Sequence, residues 1–311
     1  MERRILGKTD LAISHIGLGC VTFGREIGED QSFEIMDYAY EHGINLFDTA
    51  EAYIYESHGQ VQSSEAIIGK WMQRHACSSS IILQSKVAAP LNRMHILETI
   101  RRSLDRLRTK YIDIVLFHTF DASSPLEESL EALAEARENG YIRFGGCSNF
   151  TVEQLRTALL ICDKLGLPRF ETVEPIYNLV HRSIEQDLLP YCAEQQLGVT
   201  AYSPLGAGFL SGKHTGDPQD IAPGSRFALK PGHQRLYYTS EGFQALSGLR
   251  HLASMTGVPL SQLALAWALR RSDITSVLVG ARSAEHVHNA IVASRITFSE
   301  EWESALCFGT I

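Results

Sequence analysis

Short apolar runs alternate along the chain with longer stretches whose apolar residues recur every three or four positions. The runs at 44–48, 80–86, 111–118, 141–148, 170–174, 197–203 and 275–280, with Ile16–Gly19 ahead of them, predict eight strands. The stretches between them carry a helical period. In LEESLEALAEAREN, Leu126, Leu130 and Leu133 share one face and the carboxylates take the other, and Asn139-Gly140 supplies a C-terminal stop. Before the first strand, RRILG and LAISHIGLG flank Lys8-Thr9-Asp10, the signature of a hairpin. Strand and helix in strict alternation imply a parallel sheet with helical crossovers. Eight repeats in 311 residues favour an α/β fold of the closed (β/α)8 TIM barrel type over an open doubly wound sheet. No linker or low-complexity tract interrupts the pattern, so residues 1–311 are expected to form one domain. The segment 206–240, after the seventh strand, is rich in Gly, Pro and polar residues and reads as a long functional loop.

In such a barrel, chemistry gathers at the C-terminal ends of the strands. Reading off those ends gives Asp48, Lys86, His118, Ser148-Asn149, Glu174, Tyr202-Ser203 and Gly280-Ala281-Arg282, with Tyr53 in the loop that follows Asp48. Asp48, Tyr53, Lys86 and His118 suit one task, which is moving a proton onto or off an oxygen. A phenol is a poor acid near neutrality, and a neighbouring ammonium is expected to make it a better one. An aspartate keeps that ammonium charged and oriented, and a histidine can polarise the substrate oxygen or relay a proton. Each residue has a plainer role open to it alone: a helix cap for Asp48, a solvated charge for Lys86, a core hydrogen bond for His118, packing for Tyr53. Their joint placement on one rim is what favours chemistry.

Composition narrows the partners. Twenty-eight basic against thirty-six acidic residues give a net charge of −8, which argues against nucleic acid or an anionic membrane as the main partner. Small-molecule chemistry remains. The six cysteines, Cys20, Cys77, Cys147, Cys162, Cys192 and Cys307, show no metal-ligand spacing, so no metal is expected. They read as buried thiols of a reducing compartment. No signal-like segment opens the sequence, and the longest apolar run, near 263–269, is far too short to span a bilayer. A cytoplasmic location is expected.

The segments RRILGKTDLAISHIGLG, FDTAEAY, LQSKV, LFHTFD, GGCSNF, EPIYN, YSPLGAGFLSGK and VLVGARS together resemble an aldo-keto reductase. The resemblance is to the branch that also contains potassium-channel β subunits and bacterial sugar or xenobiotic reductases, and it covers almost the whole chain. It implies extended NADPH bound without a Rossmann domain, in keeping with the lack of a G-x-G-x-x-G after the first strand. It also implies a catalytic tetrad of Asp48, Tyr53, Lys86 and His118, with Tyr53 as general acid in reduction or base in oxidation.

Carried over position by position, Cys20 and Val21 would line the nicotinamide ribose and pyrophosphate through their backbone, beside Asp48. Ser148 and Asn149 would bind the carboxamide, and Tyr202 would stack on the ring. Ser203, Leu205 and Gly206 would bind the pyrophosphate, with Gly208 allowing close approach. Lys213 and Arg226 would reach over the pyrophosphate or adenosine end. Phe23, Tyr55, Phe120 and Phe227 are candidate substrate-lining groups.

Two departures from the family pattern bear on chemistry. Glu174 stands where the family usually has glutamine, and a carboxylate only accepts hydrogen bonds. Ionised, it would favour the positively charged oxidised nicotinamide; protonated, it would act as a glutamine substitute. In the segment from Gly280, Arg282 and Ser283 suit a phosphate, His286 takes the usual Gln or Arg position, and Asn289-Ala290 replace a Glu-Asn pair. Arg282, Arg226 and Lys213 form a potential basic patch for a 2′-phosphate, favouring NADPH, with NADH the alternative. The expected function is reversible, NADPH-dependent reduction of an aldehyde or ketone, including a sugar-like carbonyl. The alternatives are an NAD-dependent sugar or polyol dehydrogenase running oxidatively and a non-catalytic nicotinamide-binding regulatory subunit. The sequence leaves the oligomeric state open.

Overall fold

The computed structural model describes residues 1–57, 60–77, 79–214, 221, 223–229 and 231–306. Twelve strands occur among them. β1 (Arg3–Ile5) and β2 (Ala12–Ser14) form the expected antiparallel hairpin. β3 (Ile16–Gly19), β4 (Leu46–Asp48), β7 (Ile82–Val87), β8 (Ile112–Phe117), β9 (Ile142–Ser148), β10 (Phe170–Glu174), β11 (Gly198–Ala201) and β12 (Ser276–Gly280) pair in that order. All are parallel, and β12 pairs back onto β3 to close the barrel. Buried on both faces, these strands read as near-continuous apolar runs. The remaining two, β5 (Ile54–Ser57) and β6 (Gln60–Ser63), form a hairpin that the sequence reading missed, inserted between Tyr53 and the next helix.

Helices cover the barrel and bury their apolar stripes against it. In the helix Leu126–Glu138, Leu130 and Leu133 are buried, and Gly140 past its end adopts φ 72°, the left-handed conformation a glycine tolerates. The run near 263–269 is a core helix, Leu260–Leu269, not a surface element; its residues from Leu263 onward are buried. Among the described residues, no single helix is long and apolar enough to cross a membrane.

The two ends of the barrel differ. The β1–β2 hairpin lies under the end where the strands begin. Its Leu6, Leu11 and Ile13 pack with Leu46, Ile114, Leu116 and Leu278 in a cluster separate from the main core. Contact is tight there: a Cβ on Gly198 would fall 2.3 Å from Leu6 Cδ1. Asn45 stitches the hairpin to β4, accepting from the Ser14 backbone at 2.6 Å and donating to the Ala12 carbonyl at 3.0 Å. The floor is therefore sealed, and access to the interior comes from the opposite mouth.

The segment 206–240 departs from the irregular loop that its composition predicts. It holds a 3-10 turn, Gly206–Ser211, and two short helices, Arg226–Leu229 and Pro231–Tyr237. Phe209, Phe227 and Tyr237 are buried and ring-stacked beneath it, so an aromatic cluster anchors the segment to the barrel. Residues 215–220 lie outside the described residues.

Candidate active site

Every barrel strand delivers a polar or small residue to the mouth. Asp48 ends β4, Lys86 lies one residue from the end of β7, His118 follows β8, and Ser148 and Glu174 end β9 and β10. Tyr202 follows β11, and Gly280 ends β12 beside Gly19 of β3. Tyr53 is placed by the turn after β4, where its N–H donates to the Ala50 carbonyl at 3.1 Å.

Lys86 is the centre of the arrangement and is 1% exposed. Its Nζ donates to Asp48 Oδ1 at 2.5 Å and to the Thr49 carbonyl at 3.0 Å, and stands 3.2 Å from Glu174 Oε2. The same Nζ lies 5.7 Å from the centroid of the Tyr53 ring. His118 meets that ring edge-on at 6.0 Å between centroids. Burial opposes the charge on Lys86, but Asp48 and Glu174 prevail and hold its proton above the ordinary lysine range. Burial and the Lys86 charge push His118 down to about 4, so its imidazole is neutral at physiological pH.

Tyr53 departs from the sequence expectation. Lys86 does pull its pKa down, but burial raises it more, and Asp48 and Glu174 add to the rise. The net direction is upward, because burial outweighs the pull of the ammonium and the two carboxyl groups beside it add to the rise. Tyr53 is thus a phenol that keeps its proton in the unliganded protein.

Sequence reasoning missed Gln84. It is fully buried two residues before Lys86 on the same face of β7, and that period-two spacing was the available signal. Its Nε2 donates to Glu174 Oε2 at 2.8 Å and to Asp48 Oδ1 at 3.0 Å, tying the two carboxylates together. Gln84 Oε1, Thr172 Oγ1 and Ser276 Oγ are buried without a hydrogen-bond partner in the barrel interior.

Around this centre, Ser148 Oγ donates to the Glu174 carbonyl at 2.8 Å, and Asn149 Nδ2 donates to the His118 carbonyl at 3.0 Å. The Tyr202 hydroxyl donates to Asn149 Oδ1 at 2.8 Å, which fixes its ring at the mouth. Asn149 and Ser203 both adopt φ 58°, a strained value for residues with side chains, and such values gather at functional sites. Leu205 precedes Gly206 and Gly208, which turn with φ 57° and 91°. Lys213 Nζ lies over that turn, 3.1 Å from where a Gly208 Cβ would stand. Val21 is half-buried beside the rim.

Several assigned groups are otherwise engaged. Cys20 is buried, and its N–H donates to the Asp48 carbonyl at 2.8 Å, so that N–H is not free for a ligand. Phe23 and Phe227 are 0% and 1% exposed. Both belong to the core, which corrects the expectation that they line an open substrate pocket; aromatic bulk beneath a mouth packs inward unless something polar holds it out. Phe120 is half-buried against Phe150, and Tyr55 lies under Arg25, whose charge sits 5.1 Å from the ring centroid. Arg226 turns toward Glu26 at 3.4 Å. Asn289 Oδ1 accepts from Gln262 at 2.9 Å.

At the far side of the mouth, the Arg282 backbone N–H donates to His286 Nδ1 at 3.2 Å, and Arg282 Nη1 donates to the Gly224 carbonyl at 3.1 Å. Burial and the nearby Arg282 charge lower Lys213 below the usual lysine range. Among the described residues, no carboxylate is ion-paired with Lys213 or Arg282. No cluster of metal-ligating side chains occurs among the described residues. The described cysteines are buried and free, and Cys307 lies outside the described residues.

A closed parallel barrel whose mouth sets a buried lysine beside a tyrosine and a neutral histidine suits oxidoreductase chemistry, and the chain belongs to the aldo/keto reductase family, whose profile matches residues 15–305. The family acts on small-molecule carbonyls with nicotinamide cofactors. The chain is 32% identical over 295 residues to a probable voltage-gated potassium channel subunit beta of Arabidopsis thaliana, spanning 90% of this chain and 87% of that protein. It is 31% identical to the protein tas of Escherichia coli (strain K12), over 97% of this chain and 95% of that protein.

Proposed function

We propose that this protein, as a single domain over residues 1–311, reduces an aldehyde or ketone to the alcohol with NADPH, and that Tyr53 is the general acid. The observation that carries the reading is the buried Lys86, held by Asp48 and set 5.7 Å from the Tyr53 ring at the barrel mouth.

The residues present suit a dinucleotide. Gly19 and Gly280 leave the rim between β3 and β12 open, for a Cβ on Gly280 would meet nothing nearer than 3.9 Å. The left-handed turn at 206–208 and Lys213 above it form a cradle for a pyrophosphate. Lys213 and Arg282, without carboxylate partners among the described residues, suit the 2′-phosphate that distinguishes NADPH from NADH. Bound there, the cofactor supplies hydride to the carbonyl carbon.

The chain's own groups do the rest. The neutral His118 donates a hydrogen bond to the carbonyl oxygen and orients it. Tyr53 gives its proton to that oxygen as negative charge develops, and the Lys86 ammonium stabilises the phenolate left behind. One solvent proton then restores the phenol. Asp48 keeps Lys86 charged and fixed. Because Tyr53 holds its proton tightly, it yields it only to a strongly basic developing alkoxide, which ties proton transfer to hydride arrival. Half-buried Tyr55 and Phe120 are the lining groups that remain for a small carbonyl or a sugar face.

The test is turnover of 4-nitrobenzaldehyde and methylglyoxal with NADPH, comparing wild type with Tyr53→Phe. Loss of turnover in the variant with retained NADPH binding is expected. NADPH binding without turnover of any carbonyl would instead favour a regulatory subunit, as the name of the Arabidopsis relative suggests. Activity only with NAD and polyols would favour the oxidative dehydrogenase.

A further inference from the structure

An ammonium has three N–H donors. Lys86 commits one to Asp48 and one to the Thr49 carbonyl, at 2.5 and 3.0 Å. The third is contested. Glu174 Oε2 lies 3.2 Å from Nζ, and the only other claimant in the proposed mechanism is the Tyr53 oxygen. A carboxylate competes for that donor far better than a neutral acid or amide does. Glu174 is 4% exposed, so its competition is unscreened by solvent.

We propose that Glu174, held by Gln84, is a positioning residue that sets the direction of the reaction: its ionised form draws the Lys86 ammonium away from Tyr53 and favours the oxidised cofactor, and its protonated form releases the ammonium to the phenol and favours reduction. The proposal rests on the reading of Tyr53 as proton donor and extends it to the control of that donor. With Glu174 ionised, Asp48, Glu174 and Lys86 sum to one negative charge, which suits a cationic ring lying over the substrate carbon. With Glu174 protonated, the three sum to zero.

Gln84 accommodates both states. Its Nε2 donates to Glu174 and Asp48 as two acceptors, and its Oε1 is buried without a partner. A protonated Glu174 keeps a carbonyl oxygen that still accepts from Nε2, so the amide holds the carboxyl group in either state without turning over. The titratable groups facing Glu174 are Asp48 from β4, Lys86 from β7, Tyr53 from the loop after β4 and Tyr202 after β11. Ser148 from β9 touches only its backbone. Burial, then Asp48, push Glu174 up to about 8 against the pull of Lys86, which brings the exchange into the working range of pH.

The test measures dissociation constants of NADP+ and NADPH by fluorescence between about pH 6.5 and 9 for wild type and Glu174→Gln. In the wild type, the ratio of the NADP+ to the NADPH constant should fall about tenfold across that range, the size expected for one nearby charge at an intermediate dielectric. In Glu174→Gln the ratio should stay flat, and the pH profile of kcat/KM for reduction should lose its upper limb. A purely structural role for Glu174 would shift both constants together and leave the wild-type ratio independent of pH. Melting of the cofactor-free proteins gives a second readout. A carboxyl whose pKa is raised by folding loses stability as pH climbs through the folded value, so the Tm advantage of Glu174→Gln should grow from pH 6.5 to 9. A wild-type ratio flat with pH, with NADPH bound and turned over, overturns the proposal alone. Failure of either cofactor to bind overturns the functional reading and the proposal with it.

Discussion

Replacing Lys86 with methionine keeps most of the side-chain volume and removes the only ion-pair partner that Asp48 and Glu174 have among the described residues. Both carboxyl groups are buried, at 5% and 4% exposure, and Gln84 holds them together. Breaking a buried ion pair typically costs about 3–5 kcal/mol, and with two carboxylates left facing each other the upper half of that range is expected near pH 8.5. Glu174 should then take up a proton as pH falls, because burial and Asp48 already raise its pKa and Lys86 no longer opposes them. The sign follows from linkage: without Lys86 to oppose burial and Asp48, Glu174 titrates still further above its unfolded value, so the folded variant is favoured at low pH and loses ground as pH rises. Urea unfolding at about pH 5.5 and about pH 8.5 reads this directly, with the cost at the lower pH falling by about 1–3 kcal/mol. Adding Glu174→Gln should recover a similar amount at the higher pH, as expected for residues in contact. An equal cost at both values, or strictly additive single effects, would refute the view that Lys86 is shared between Asp48 and a Glu174 that ionises as pH rises.

Other expectations follow from single contacts. Arg282→Ala should raise the KM for NADPH about tenfold while leaving that for NADH within about twofold, since one charge-assisted phosphate contact is lost; equal changes for both cofactors in steady-state kinetics would remove Arg282 from the phosphate site. His118, with its pKa depressed to about 4, favours the folded state above its unfolded value and loses that contribution as pH falls through about 4. Acid unfolding of His118→Ala should therefore show a shallower pH dependence than wild type between about pH 6.5 and 4. Gly69→Ala should destabilise by about 1–3 kcal/mol or more in thermal melting, because its Cβ would fall 2.3 Å from the Arg106 carbonyl oxygen, which is backbone and cannot move aside alone.

The barrel was readable because strands buried on both faces announce themselves as apolar runs. Residues 170–174 and Ile16–Gly19 fall on their observed bounds, and the other strands run within a few residues of theirs. The β5–β6 hairpin escaped notice because IYES and QVQS are only four residues each and mostly polar, too short for a period to stand out. The segment 206–240 misled in the opposite way. Its glycines and prolines are turn signals, but Phe209, Phe227 and Tyr237 scattered among them are what pin it down, and no periodicity marks three aromatics from different turns as one cluster. The same blindness placed Phe23 and Phe227 in a pocket, since side-chain direction at the end of a strand is settled by neighbours distant in sequence. The mouth residues could be read as a set, whereas the charge balance among them could not. Tyr53 is a weaker acid than expected because the closed barrel buries it beside Asp48 and Glu174, and burial is a property that sequence spacing does not carry.

The hairpin under the barrel carries a consequence for the order of assembly. Leu6, Leu11 and Ile13 are made before any barrel strand, but their partners include Leu278 of the last one. Until β12 exists, that apolar face has no complete seat, and long-range closure of this kind is slow. The floor is therefore finished only with the last barrel strand although its hairpin precedes them all, and a growing chain must shield that apolar face until β12 arrives.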